Sequence, residues 1–273
     1  MTEAFAQIDI VRYHDYVIKV KSQSIYPATK SNMSKLYLCH RCFDYFSQRS
    51  TYTNHISKCT LETPGHVIYH KHNERIHRID GHFYKDYVQR LCLFGKLFID
   101  TKTVFFDVEY FDFFLLTEAG IPVAFFSREK RNVDNFNLAC IITFPPFQSK
   151  QYGRLLIECS YALSHLDGYI GTPERPLSQL GQRSYLSFWR DTLVRSLPLN
   201  PTNTMWSLSE WSKNTGLRQQ DIVFTLKHSN LLADRVITMT DENDMNQQIL
   251  FRVNELLDKP TRPFRFDIDC LLV

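Results

Sequence analysis

The sequence predicts an α+β fold: a mixed, mostly antiparallel central sheet with flanking helices, preceded by a small metal-stapled module. Three observations carry this. A cysteine–histidine cluster at 39–59 has metal-ligand spacing. Short aromatic and β-branched segments fill 91–144. After Pro146 the apolar period changes from two to three and four. With 273 residues and 44% hydrophobic content, the chain can bury a sizeable core.

The first element is the cluster. YLCHRCFDYFSQRSTYTNHISKC places Cys39, Cys42, His55 and Cys59 at the spacing C-x2-C-x12-H-x3-C. Two cysteines on a tight knuckle and a His/Cys pair one helical turn apart can close a tetrahedron around one zinc. Phe43 and Tyr52 lie where a small finger needs apolar packing. A DNA-reading finger comes in arrays and carries basic residues or Asn along its helix. This one is single and offers Ser50, Thr51 and Asn54, which favours a structural staple.

The middle reads as a meander. LCLFGKLFID, TVFFDV, FDFFLLTE and PVAFFS read as successive strands, with a hairpin at DTKT. REKRNVDNFN has less order, and LACIITFPP reads as one buried strand. Tyr152, Leu155, Leu156, Cys159, Ala162, Leu163 and Leu166 then mark one face of a helix. The loop before it, 148–153, supplies free backbone N–H groups at a helix N-terminus, which suits a phosphate. An ordinary strand–helix connection would read the same way.

Toward the C-terminus, Ser207 and Glu210 form a capping-box pattern, and Gly216 ends that helix. LRQQDIVFTLKHSNLL follows as a second helix, giving a helix-turn-helix or winged-helix-like arrangement. Its basic residues are few: Arg218, Lys227 and His228, opposed by Asp221. That argues against direct DNA binding by this pair, while the net charge of +3 permits a nucleic-acid-associated role without demanding one. No apolar run reaches membrane-span length, so no membrane association is expected. The first residues lack a signal-peptide layout, and seven cysteines, odd in number and scattered outside one cluster, fit a reduced intracellular compartment.

Longer motifs then narrow the reading. NLACIITFPPFQSKQYGRLLIECSYALS followed by GTPERPLSQLG resembles the catalytic core of the MYST histone acetyltransferases, a GNAT-like acetyltransferase fold. The C2HC finger, LCLFGKLFIDTKTVFFDVEYFDFFLL and YLSFWRDTL are similar to other parts of that domain, so the resemblance covers roughly 10–270. No chromodomain, PHD finger or long basic tail is recognisable, as in the short fungal silencing-type catalytic subunits. The expected layout is one continuous domain with three parts: 1–90 with the finger, 91–185 as acetyl-CoA-binding core, and 186–273 as the helical, winged-helix-like region.

The resemblance implies residue roles. Glu174 matches the family's catalytic glutamate, and Cys140 its active-site cysteine. The backbone of Ile141, Ile142 and Thr143 would pair with the pantetheine arm of acetyl-CoA. Ser149, Lys150, Gln151, Tyr152, Gly153 and Arg154 would hold its pyrophosphate. Ser178 and Ser187 match further acetyl-CoA contacts, and Lys102 matches the autoacetylated lysine. A lysine ammonium has a pKa near 10.4, so attack on a thioester needs a positioned base, which Glu174 would supply. Direct attack is favoured over an acetyl-cysteine, because a buried thiol is a poor nucleophile unless activated. One departure stands out. Where the family reads Q-R-x-G-x-G, this chain has Gln148-Ser149-Lys150-Gln151-Tyr152-Gly153, with Ser149 for the arginine and Gln151 for the first glycine.

The expectation is therefore a nuclear lysine acetyltransferase acting on histone tails, foremost histone H4. It would work with partner subunits of a small chromatin complex, in chromatin regulation and silencing. Asp107, Glu109 and Asp112 are candidate acidic contacts for a basic tail. Two alternatives stay open: a scaffold weakened at Gln151, and a zinc-finger DNA-binding protein.

Overall fold

A computed structural model describes residues 5–22, 24–27, 34–99, 107–197, 205–229, 232–238, 248–251 and 260–272. Lys102 and the DTKT turn lie outside them, as does most of TVFFDV. In chain order the elements begin with β1 (Ile10–Tyr13), β2 (Tyr16–Lys19), β3 (Lys35–Leu38), β4 (Tyr45–Phe46), α1 (Arg49–Ile56), β5 (His66–Lys71) and β6 (Glu74–Asp80). Then come α2 (Lys85–Lys96), β7 (Phe111–Glu118), β8 (Ile121–Glu129), β9 (Phe136–Leu138), β10 (Cys140–Thr143) and α3 (Tyr152–Leu166). The last are β11 (Thr172–Pro173), α4 (Gln179–Ser196), β12 (Met205–Ser207), α5 (Leu208–Thr215), α6 (Gln219–His228), β13 (Leu232–Thr238) and β14 (Gln248–Phe251). Among the described residues no helix is long and apolar enough to cross a membrane.

The chain divides into two compact units, and both are discontinuous in sequence. The first comprises Met1–Arg131, Cys140–Gly153 and Asp267–Val273; the second comprises Asn132–Ala139 and Arg154–Phe266. The first unit holds an antiparallel five-stranded sheet in the order β10-β8-β7-β6-β5. FDFFLLTE and IPVAFFSRE form its middle, buried on six successive positions each. Side chains on both faces are covered, so these strands read as continuous apolar runs rather than alternations. Phe114 and Phe126 stack across them at 4.3 Å. Their hairpin turns on Ala119 and Gly120, both at positive φ (49° and 80°), as a type I′ turn requires.

A second sheet of this unit runs β2-β1-β3-β4. Tyr13 of β1 stacks on Phe94 at 5.0 Å, meets Phe144 edge-on at 5.6 Å, and donates its hydroxyl to Pro122 O at 2.7 Å. Phe94 belongs to α2, which corrects one expectation: Leu91–Lys96 is helix, not strand. Tyr87, Val88, Leu91, Cys92, Phe94 and Gly95 are buried, a helical spacing that becomes visible once the polar lead-in KDY is included.

His77 on β6 is buried, and burial first, then the Arg75 charge, pushes it down to about 4. Its folded value lies below the ordinary value near 6.5, so the unfolded chain binds more protons between the two. This residue's contribution is complete above that window and lost as pH falls through it, by about 2 kcal/mol once solvent screening of a partly wet group is discounted. Denaturant midpoints measured from pH 7 to pH 4 should show a smaller loss in His77→Leu than in wild type.

In the second unit, β11 pairs parallel with β9, β14 lies between β12 and β13, and α4, α5 and α6 pack on one another. Ser207 caps α5 by accepting from Glu210 N, and Gly216 ends that helix at φ 67°, both as expected. The segment LACIIT is one apolar run but two strands. It breaks at Ala139: β9 pairs with β11, whereas β10 pairs with β8 in the other unit's sheet.

Candidate active site and metal centre

The four predicted metal ligands converge. The ligand atoms of Cys39, Cys42, His55 and Cys59 all lie within 4.8 Å of one another. Cys39 Sγ and Cys59 Sγ are 3.8 Å apart, and Cys42 Sγ is 3.2 Å from His55 Nε2. Two thiolates bound to one zinc at about 2.3 Å stand roughly 3.8 Å apart in a tetrahedron, so the set fits that ion. The Cys42 thiol, then nearby backbone N–H groups, hold Cys39 below the ordinary thiol range, while Cys42 is pushed up in turn. Zinc binds cysteine as the thiolate, so the three thiols give up their protons as the metal is bound. The knuckle closes by Phe43 N to Cys39 O (3.0 Å) and Cys39 N to Asp44 O (2.9 Å), with Phe43 at φ 58°.

Cys59 is not on the helix, as the x3 spacing suggested. α1 ends at Ile56, and Cys59 folds back through its N–H to His55 O at 2.8 Å. Phe43 is fully buried and meets Tyr13, Tyr87, Phe94 and Phe144, whereas Tyr52 packs on Tyr37 and Phe46. The finger is thus stapled into the unit's core, and α1 buries no residue of its own.

In the same unit, Cys140, Ile141, Ile142 and Thr143 form β10, an edge strand whose register runs Cys140↔Ser127 to Thr143↔Ala124. One backbone edge of β10 is left unpaired by any described strand. Cys140, Ile141 and Thr143 are half-buried, so the thiol is more accessible than a fully buried strand cysteine would be. Five residues beyond Thr143 the exposed loop 148–151 begins, and its Gln148 side chain donates to Thr143 O at 3.1 Å. Ser149 and Gln151 both adopt φ 65°. Successive backbone N–H groups in such left-handed turns form concave anion sites. They also strain any residue bearing a Cβ, by about 1–2 kcal/mol. Gln151 therefore occupies a conformation that suits glycine.

Gly153 supplies a fit test. A Cβ there would meet only Thr143 Oγ1, at an ordinary 3.5 Å. No described protein atom demands glycine at this first turn of α3. Lys150 is exposed, with its ammonium 3.9 Å from the Glu118 carboxylate and 5.7 Å from the centre of the Phe147 ring. Tyr152 is buried.

The second unit holds the remaining predicted residues. Arg154 does not turn its side chain to a phosphate: Nη1 donates to Asp191 at 3.1 Å and Nε to Glu158, deep in the unit. Glu158 also accepts from Arg265 N and Phe266 N at 2.6 and 2.7 Å. Ser178 spends its hydroxyl as the cap of α4, accepting from Gly181 N at 3.1 Å, and Ser187 lies half-buried along that helix. Leu166, expected on the buried face of α3, is exposed.

Glu174 is exposed, one residue beyond β11, and its N–H donates to Leu138 O at 2.8 Å. Gly171 is required here: a Cβ would lie 2.6–2.8 Å from the side chain of Asn137, which is fully buried. The residue that sequence reasoning missed is Asp221. It is not a surface charge facing DNA. It is buried, accepting from Thr172 Oγ1 at 2.7 Å and Arg175 Nη2 at 2.6 Å, and burial raises its carboxyl despite those bonds. Asp112 is likewise buried and bound by Arg78 at 2.6 Å, so it does not offer a free carboxylate to a basic ligand.

Comparison with known proteins agrees with this geometry. Residues 62–261 match the MOZ/SAS family, and residues 5–59 match the MYST family zinc finger domain. The human histone acetyltransferase KAT6A is 35% identical over 270 residues, covering 96% of this chain and 13% of that protein. The Drosophila melanogaster histone acetyltransferase MOF is 37% identical over 230 residues, covering 82% of this chain and 28% of that protein. The chain thus spans well under a third of the length of these relatives. Cys39, Cys42, His55 and Cys59 hold one structural zinc. With both matches together covering nearly its whole length, the chain belongs to the MOZ/SAS family and carries that family's MYST zinc finger.

Proposed function

We propose that the chain is a histone lysine acetyltransferase that uses acetyl-CoA. The observation that carries this reading is an open strand edge, β10, followed closely by a loop shaped for an anion at the start of α3. An extended arm with amide groups ending in a pyrophosphate matches that sequence of features. The backbone of Ile141, Ile142 and Thr143 takes the arm, and the N–H groups of 149–153 take the phosphates, with Lys150 as the nearby cation. Arg154 contributes its backbone, since its side chain is engaged elsewhere. Ser178 and Ser187 are assigned to the same ligand.

When bound, acetyl-CoA supplies the acetyl group as a thioester, whose C–S bond breaks as the lysine nitrogen forms its amide and the CoA thiol departs. Glu174 removes the proton from the lysine ammonium, which is almost wholly protonated at neutral pH. Cys140 shapes the acceptor site and carries no acetyl group. Lys102 is the autoacetylated lysine. The substrate is a histone tail, foremost that of H4, and the setting is the nucleus, within a small complex whose other subunits engage the nucleosome in chromatin silencing. The 186–273 region, whose described elements after α4 run strand, helix, helix, strand, strand, is read as winged-helix-like and flanks the substrate rather than binding DNA.

Two measurements test this. Transfer to H4 tail peptide should exceed transfer to H3 tail peptide; equal rates would remove the H4 preference. Gly153→Ala should leave the melting temperature unchanged within about 2 °C, since the site is open and alanine favours helix. Its acetyl-CoA Kd should rise about tenfold or more, because a Cβ blocks the approach of the phosphates. An unchanged Kd would dissociate the loop from the cofactor.

A further inference from the structure

The N-terminal turn of α6 is built as a clamp. Arg218 donates Nε to Ile170 O (3.4 Å) and Nη2 to Asn135 O (3.2 Å) and Asp134 O. Three residues on, Asp221 takes Thr172 and Arg175 with its two carboxylate oxygens. Thr172 and Arg175 flank Glu174 on either side, and its own N–H is fixed to Leu138 O. Arg175 is steadied further, its guanidinium 5.2 Å from the ring of Phe224 and 5.8 Å from that of Trp189. Asp221 itself is held by backbone, its N–H to Arg218 O at 2.9 Å and its carbonyl to Thr225 Oγ1 at 2.7 Å.

A buried carboxylate costs free energy unless its partners are placed for it. Here both oxygens are spent on one four-residue segment, and that segment carries an exposed glutamate at its centre. We propose that Asp221 is a positioning residue, fixing the backbone on both sides of Glu174 through Thr172 and Arg175. It touches no reacting atom. The inference rests on the reading of Glu174 as the base. It gives the first turn of α6 the task of holding the segment that carries the base.

The test uses Asp221→Asn, which keeps the size and an acceptor for Thr172 but drops the charge facing Arg175. Glu174→Gln runs beside it. A displacement of the base of the order of 1 Å should lower kcat about 10- to 100-fold, while KM for acetyl-CoA stays within about twofold. Arg175→Gln should give a similar loss, and the double variant no more than the larger single, because both act through one contact. Amide exchange at Thr172, Glu174 and Arg175 should quicken in Asp221→Asn with the melting transition still cooperative. If Glu174→Gln is inactive but Asp221→Asn keeps wild-type kcat, or loses only through KM, the positioning role is overturned and the base stands. If wild type transfers no acetyl group, the base reading falls, and exchange alone decides: unchanged protection at 172–175 overturns the anchoring, and faster exchange upholds it.

Discussion

Removing the zinc, by chelation or by Cys59→Ala, is expected to produce the largest loss of stability in this protein. The four ligands converge within 4.8 Å, and little else holds α1, which buries no residue. Structural zinc sites contribute about 10–16 kcal/mol of apparent binding free energy at neutral pH, much of it spent on folding the module itself. The loss does not stop at the finger. Phe43 leaves the knuckle to pack with Tyr13, Phe94 and Phe144, so an unfolded knuckle opens a gap in that aromatic cluster. Deleting a buried phenylalanine typically costs about 3–5 kcal/mol. The melting temperature should fall by more than about 10 °C, and metal content should drop from one zinc per chain to none. Cys270→Ser, outside the cluster, should retain both. A Cys59→Ala protein that kept its zinc and its melting temperature would contradict the assignment.

The second large effect is on the reaction. Glu174→Gln preserves shape and backbone hydrogen bonding but cannot take a proton. General-base contributions amount to about 10²–10⁴-fold, so kcat should fall by at least about 100-fold. Acetyl-CoA affinity should be unchanged, because Glu174 is assigned no cofactor contact. Cys140→Ala is the informative companion: direct attack predicts retained activity within about tenfold, whereas an acetyl-cysteine route predicts complete loss.

Much of this was legible in the residues. The zinc ligands declared themselves by spacing, α5 by Ser207, Glu210 and Gly216, and β7 and β8 by long aromatic runs. What failed to show was tertiary in origin. LCLFGKLF carries no period that separates strand from helix, and it is helical because α2 buries one face that begins with Tyr87. LACIIT gives no hint of its break at Ala139, which follows from pairing with two different partners. Asp112 and Asp221 look like surface charges in any window of sequence. Only the fold brings Arg78 to one and Thr172 and Arg175 to the other. The strain at Gln151 is of the same kind: the departure from glycine was visible, but its cost depended on a backbone angle that turned out to be φ 65°.

The most direct measurement is transfer of labelled acetyl groups from acetyl-CoA to core histones by the wild-type chain and by Glu174→Gln, each first shown to be folded and to hold one zinc. The account predicts acetyl-lysine on histones with wild type and at least about 100-fold less with the variant. Wild-type protein that transfers nothing at saturating acetyl-CoA, or a Glu174→Gln protein as active as wild type, would contradict it.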